Sequence, residues 1–414
     1  MSTFILTLVY VALVYLRPQE YVASLKDAPI LAITLAAAGV AWIFTANKRV
    51  DTPQHPILIA FTVLLGLSVA ASGWLGGAVP AMLDFLPGVV LFFLVATSTS
   101  SPGRHYAFMV LLGLCSTVMA VHGIDQAAHG TGWSGATLSE GSRITYVGIF
   151  NDPNDLALAF VMAIPMIGYC MAHTRSRLLK AAWAASFATV VYGVYLTNSR
   201  GGMLAALALG LVYATRRFGT ALGICAAGLG LAAISLLPSR LDKLDADEES
   251  AAGRVDAWYA GLDMLLHHPI LGVGKGNFVE HNSLTAHNSL VLVAAETGLA
   301  GYYLWLCFVG LSFYMVYRLA RAPAQEGAPD DPVRPIARTY CYSMLGFFVA
   351  AFFLSRSYVI LLYLLCGLCV ALFQCARASE PPAEAVRLGP VAGRFLALEI
   401  GSIGFLFALV KVLL

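Results

Sequence analysis

The chain has 414 residues, 59% of them hydrophobic and only 12% charged, with a formal net charge of +2 and a mean hydropathy of +0.77. A soluble domain of ordinary composition carries about 25% charged residues, so a soluble enzyme is excluded and an all-α polytopic membrane protein is indicated. The small net charge leaves no electrostatic footprint for nucleic acid.

In chain order, residues 1–16 lack a small-residue cleavage site and read as a first membrane span rather than a signal peptide. Apolar runs of the length a helix needs to cross a bilayer, about 17–25 residues, or somewhat shorter, follow one another along the whole chain. They lie near 2–16, 29–46, 55–71, 82–98, 106–122, 154–172, 179–196, 201–214, 219–237, 288–317, 338–354, 358–376 and 394–413. The expectation is a single integral membrane domain over 1–414, with about 12–13 transmembrane helices and an extracytoplasmic helical loop. The run at 201–214 is the weakest of the set.

Lys and Arg fall unevenly between alternate loops. Lys48 and Arg49, Arg104, the Arg175/Arg177/Lys180 group, Arg216 and Arg217, the group Arg318/Arg321/Arg334/Arg338, and Arg377/Arg387/Arg394 occupy one set. The positive-inside rule puts this set, and the amino terminus, in the cytoplasm. The opposite set holds most of the acids, including "DKLDADEES" at 242–250. That run reads as a solvated loop, with a calcium site as its alternative.

Two longer polar segments remain on the outer side, about 123–153 and about 238–287. Within the second, "AAGRVDAWYAGLDMLLHHP" sets Val255, Trp258, Tyr259, Leu262, Leu265 and Leu266 at helical spacing. This predicts an amphipathic helix on or near the membrane face, ended by Pro269. The stretches 322–335 and 378–390 read as inner-side linkers. All eight cysteines lie in apolar runs or at their ends. No disulfide framework is expected, and the Cys366/Cys369 pair reads as helix packing.

Charges at membrane depth are costly and need a reason. The outer-side basic residues close to span ends are Arg143, Arg200, Arg254, Lys275 and Arg356. Four are arginines, whose planar fork suits bidentate binding of phosphate oxygens. Arg200, in "YLTNSRGGMLAA", stands between two spans with almost no loop. It reads either as an interfacial anchor that snorkels to the headgroups or as an anion ligand. Arg356, in "FFLSRSYVILL", repeats the pattern and favours the second.

"HNSLTAHNSL" at 281–290 writes His-Asn-Ser-Leu twice. His281 and His287 introduce the span that carries Glu296. A histidine of ordinary pKa accepts a proton near neutral pH, which suits activation of a hydroxyl. His267 and His268 read as caps of the amphipathic helix, and His55 and His105 as interfacial. No His-Glu-x-x-His or comparable pairing supports zinc. Glu296 lies nine residues after His287, about two and a half turns, so the two face opposite sides of one helix. Glu296 is therefore expected to pair with an arginine or a backbone group of a neighbouring element, with Gly298 and Gly301 permitting close helix approach. In "YVGIFNDPNDLALAFVMAIPM" (146–166), Asn151 or Asp152 caps a helix whose first turn carries Pro153. Such a helix start also attracts anions.

"FNDPNDLA", "TNSRGG", "GRVDAW…HHPILGVGKGNF" and "AHNSLVLVAAETGLAG" stand in an order and spacing that resembles the O-antigen ligase superfamily, over about 140–305. The resemblance implies a glycan donor on undecaprenyl diphosphate whose anomeric carbon is attacked by an acceptor hydroxyl. It implies no nucleotide sugar, no cofactor and no metal. Carried over, the catalytic residues are His287, Arg200 and Arg254. Beside what the resemblance implies, the residues themselves suggest substrate binding by Arg143, Lys275, Asn288, Arg356, Asn154 and Glu296. The family's usual Asn-Pro-Asn is Asp152-Pro153-Asn154 here.

The expected function is transfer of O-antigen to a lipid A-core hydroxyl on the periplasmic side of the bacterial inner membrane, with inversion and with membrane lipids as surroundings. A polymerase or protein O-glycosylating enzyme on the same core is the close alternative. A transporter or flippase is the distant one, disfavoured because the charges cluster at outer span ends and no repeat is visible.

Overall fold

The computed structural model describes residues 2–26, 28–46, 48–221, 223–224, 228, 244–322, 332–378 and 385–414, with residues 244–252 described by their backbone alone. The chain is an all-α polytopic membrane protein. Its described helices are α1 (Ser2–Leu16), α2 (Ile30–Ile43), α3 (Gln54–Ala71), α4 (Ala78–Ser98), α5 (Pro102–His129), α6 (Pro153–His173) and α7 (Arg177–Leu196). They continue with α8 (Arg200–Phe218), α9 (Leu244–His267), α10 (Phe278–His281), α11 (Ser289–Arg321), α12 (Val333–Ala351), α13 (Ile360–Arg377) and α14 (Ala392–Leu413). Among the described residues there is no strand, only isolated bridges at Thr131–Thr137 and Ser139–Arg143.

Eight described helices are long and apolar enough to cross a membrane: α3, α4, α5, α6, α7, α11, α13 and α14. The shorter apolar helices α1 and α2 stand where two further runs were expected. α8 and α12 are helical at the runs expected near 201–214 and 338–354. Most of the run expected at 219–237 lies outside the described residues, as do parts of both expected linkers and residues 238–243 of the polar segment.

The chain divides into two compact units. The first comprises Met1–Ala46, Ser98–Asp242 and Leu319–Ala350. Its centre is α6, where every residue from Leu156 to Ala163 is buried. Small residues let neighbours approach it. A Cβ on Gly193 of α7 would meet the Phe160 ring at 2.9 Å, and one on Gly202 of α8 would meet the Ala157 Cβ at 2.6 Å. Close backbone approach of this kind replaces the hydrophobic driving force that helices lose inside lipid. Ser343 of α12 donates to the Met162 carbonyl at 2.9 Å. His105, expected at an interface, is instead fully buried against the Tyr340 hydroxyl at 2.8 Å.

The second unit comprises Asn47–Thr97, Lys243–Arg318 and Ala351–Leu414. α13 forms its axis, buried almost throughout from Leu361 to Gln374. Tyr363 of α13 meets Phe85 of α4 edge-on at 4.9 Å and stacks on Phe308 of α11 at 5.6 Å. At one end, the Gln374 amide donates to the Arg49 carbonyl at 3.0 Å, and Arg377 pairs with Asp51 at 2.6 Å. α9 packs Trp258, Leu262 and Met264 into a core with Phe278, Ala286 and Val291, and Trp258 meets Phe352 edge-on at 5.6 Å. Tyr259 is 57% exposed and Leu266 62% exposed, because positions 259 and 266 fall on the flank of the stripe fixed by 258, 262 and 265.

Candidate functional site

In the second unit, two sequence motifs interlock through their backbones. α11 is broken at Gly298, whose φ of 63° and ψ of −169° no helix contains. A break at that depth frees backbone groups that must find partners. The segment after α9 supplies them. Val273 N–H donates to the Ala295 carbonyl at 2.9 Å and Gly274 N–H to the Glu296 carbonyl at 3.0 Å. In return, Leu299 N–H donates to the Pro269 carbonyl at 2.8 Å.

Glycine is required on both sides. A Cβ on Gly298 would strike the Ile270 backbone, and one on Gly272 (φ 69°) would fall 2.5 Å from the Ala295 carbonyl oxygen. Gly298 was expected to allow helix approach; it permits a break that a loop fills.

This loop presents Lys275. Its N–H donates to Ser68 at 3.3 Å, and the Asn277 amide reaches Ser72 at 3.1 Å, so the loop rests on the end of α3. The Lys275 ammonium pairs with Asp84 of α4 at 2.6 Å and lies 5.8 Å from the centre of the Tyr358 ring. Beneath it is Glu296, 3% exposed. The Glu296 carboxyl faces the Tyr358 hydroxyl, the N–H groups of Gly276 and Phe278, and the Lys275 ammonium. Its Oε2 and the Tyr358 hydroxyl are both buried without a hydrogen-bond partner of good geometry. Burial, with the facing Glu296 carboxyl, holds the Tyr358 phenol well above its ordinary pKa.

The start of α11 is stitched to the turn after α12. Asn288 caps the helix, its Oδ1 accepting from Leu290 N–H at 2.9 Å and Val291 N–H at 3.1 Å. Ser289 donates to the Leu354 carbonyl at 2.6 Å and accepts from Arg356 N–H at 2.9 Å. Ser357 donates to the Ser289 carbonyl at 2.5 Å, and Thr285 and Ser355 share a hydrogen bond of 2.9 Å. These bonds bring the segment carrying His287 against the segment carrying Arg356.

His287 itself adopts a φ of 46°. For a non-glycine residue this left-handed conformation costs roughly 1–2 kcal/mol and persists only where the surroundings impose it. His287 is half-buried, while His281 is exposed. Arg254 of α9 is half-buried. A Cβ on the preceding Gly253 would meet Leu284 at 3.1 Å, so the helix that carries Arg254 packs on the segment that leads to His287.

In the first unit, Arg143, Asn154 and the "TNSR" turn gather. Arg143 Nε donates to the Thr197 carbonyl at 3.0 Å and Nη2 to Asn154 Oδ1 at 2.9 Å. Asp152, not Asn151, caps α6, accepting from Asn154 N–H at 2.7 Å. Ser199 caps α8 through Gly202 N–H at 3.2 Å. Asn198 takes a φ of 47°, turning the chain so that Arg200 opens α8, exposed.

Arg143, Asn154 and Arg200 thus belong to the first unit. Arg254, Lys275, His287, Asn288, Glu296 and Arg356 belong to the second. Asp84 and Tyr358 join the second set unforeseen. A lone carboxylate within the apolar run "AMLDFLPGVV" was the available signal for Asp84, whereas nothing in "SRSYVILL" singles out its tyrosine. Among the described residues, no three His, Cys, Asp or Glu side chains gather as a metal-ligand set.

No curated protein matches the chain. The interlocking motifs, the "TNSRGG" turn and the capped His-Asn-Ser start of α11 all lie in the stretch 185–306, which matches the family model described as O-antigen ligase, and this match supports placing the chain in the O-antigen ligase superfamily.

Proposed function

We propose that the protein transfers a glycan from undecaprenyl diphosphate to a lipid A-core hydroxyl, on the periplasmic side of the bacterial inner membrane. The family match supports glycan transfer of the ligase and polymerase type. The observation that carries the finer reading is the stitching of the His287 segment to the Arg356 segment through Ser289, beside the helix that carries Arg254. It sets cationic side chains and an imidazole on contiguous segments, which suits an anionic lipid-linked donor.

In this mechanism the acceptor hydroxyl attacks the anomeric carbon and the carbon–oxygen bond to the diphosphate breaks. His287 takes the hydroxyl proton. In the second unit Arg254 binds the diphosphate and stabilises the negative charge that grows on it, with Lys275 and Arg356 adding to the field; in the first unit, Arg200, Arg143 and Asn154 are needed for transfer as well. Asn288 offers its amide group to the sugar or diphosphate. Glu296 serves binding from beneath, through the loop that presents Lys275. Attack opposite the leaving group inverts the anomeric centre. No nucleotide or metal takes part.

The test is reconstitution of the purified chain with undecaprenyl-diphosphate glycan and lipid A-core, without nucleotide or metal. A glycosylated lipid A-core is expected. A lengthened donor instead would make the protein a polymerase, and vesicle uptake without a new bond would make it a transporter.

A further inference from the structure

The first unit holds a strained arginine that the proposed mechanism does not use. Arg17 follows directly on the apolar helix α1 and takes a φ of 44° and a ψ of 52°. A left-handed arginine costs free energy and persists only where its surroundings impose it. Two contacts do so here. The Tyr146 hydroxyl donates to the Leu16 carbonyl at 2.9 Å. The Arg17 side chain lies against Gly148, where any Cβ would strike it.

Gly148, with a φ of 69°, is the tip of the loop 143–154. Arg143 and Asn154 close the foot of that loop at 2.9 Å. Tyr146 N–H donates to the Phe150 carbonyl at 2.9 Å and tightens it above. The loop thus carries one arginine at its foot and packs a second against its tip.

A guanidinium offers a fork of several N–H donors. Among the described residues only Nη1 of Arg17 is used, donating to Glu20 at 2.6 Å, while Nε is buried without a partner. The side chain is 24% exposed, so the rest of the fork can be reached. An ion pair this exposed contributes little to stability. It does not account for the strain.

We propose that Arg17 is a further substrate-binding residue, its guanidinium taking a phosphate oxygen of a lipid-linked substrate in place of the Glu20 carboxylate. The fork suits phosphate oxygens, and the end of an apolar helix is where a basic side chain meets lipid-borne phosphate. The inference rests on the proposed transfer for the identity of that substrate. The phosphate belongs either to the donor diphosphate or to the lipid A-core acceptor.

The experiment measures binding of undecaprenyl diphosphate and of lipid A-core, separately, to the full chain in phosphatidylethanolamine–phosphatidylglycerol nanodiscs. No turnover is needed. Arg17→Asn removes the charge and suits the left-handed backbone. It is expected to weaken one of the two lipids about tenfold, the worth of a hydrogen bond to a charged group, with unfolding temperature unchanged or raised. Glu20→Gln, which removes the competing carboxylate, is expected to tighten the same lipid. The lipid affected names the source of the phosphate. Phospholipid is in excess throughout, so an arginine that only anchors to bilayer headgroups would leave both affinities unchanged, and that result would overturn the inference. So would a binding loss accompanied by a lower unfolding temperature, or Glu20→Gln weakening binding as Arg17→Asn does, since either marks the pair as structural. Transfer by the wild-type chain with binding indifferent to Arg17 would sink this inference alone. Binding through Arg17 without any transfer would leave it standing and sink the transfer reading.

Discussion

The N–H of Gly274 donates to the carbonyl of Glu296 at 3.0 Å, which fixes the loop carrying Lys275 to the place where α11 breaks. Gly272 and Gly298 are the glycines that let these two backbones meet. Gly298→Ala is expected to cost about 2–4 kcal/mol, since it combines a left-handed φ with a backbone collision at Ile270. Gly276→Ala, with a φ of 87° but nothing within 4 Å of its Cβ, is expected to cost only about 1 kcal/mol. Thermal unfolding in detergent checks both, and equal losses would show that the approach to Ile270 does not matter.

Asn288 caps α11 with its Oδ1, while its Nδ2 is buried and has no partner. Asn288→Ala is expected to lose about 1 kcal/mol of stability, and Asn288→Ser, which still caps, much less. If Nδ2 meets the substrate, both variants lose transfer alike. Unfolding temperature and initial rate, measured side by side, separate the cap from the contact.

Arg143 spans the Thr197 carbonyl and the Asn154 amide oxygen. Arg143→Ala is expected to destabilise by about 1.5–3 kcal/mol, the range for hydrogen bonds to a charged group. Arg143→Lys is expected to recover part of this, because a single ammonium lacks the fork that reaches both acceptors. A double-mutant cycle with Asn154→Ala reads the coupling directly.

The hydrophobic pattern made the helices legible, since an apolar run near 20 residues has one stable form in lipid. The helix cap at Asp152 was equally local. What was not legible depended on distance in the chain. The partner of Lys275 is Asp84, 191 residues away. The break at Gly298 was hidden because a glycine in an apolar run reads as packing until the loop that fills the gap is known.

Lys275 is held by a carboxylate that a diphosphate would displace. Lys275→Ala is expected to raise the donor KM severalfold with little change in kcat, and Asp84→Asn to lower it. Initial rates across donor concentrations decide. A KM insensitive to both changes would remove Lys275 from donor binding.

The most direct measurement is the transfer rate of His287→Ala, set beside Arg254→Ala and Arg200→Ala, in the reconstituted assay at matched unfolding temperature. Loss of a general base predicts a fall of about 10²–10⁴-fold for His287→Ala. Loss of a charge that stabilises the leaving diphosphate predicts about 10²–10³-fold for Arg254→Ala, and Arg200→Ala is expected to lose transfer as well. A His287→Ala protein that transfers glycan at the wild-type rate would contradict the mechanism.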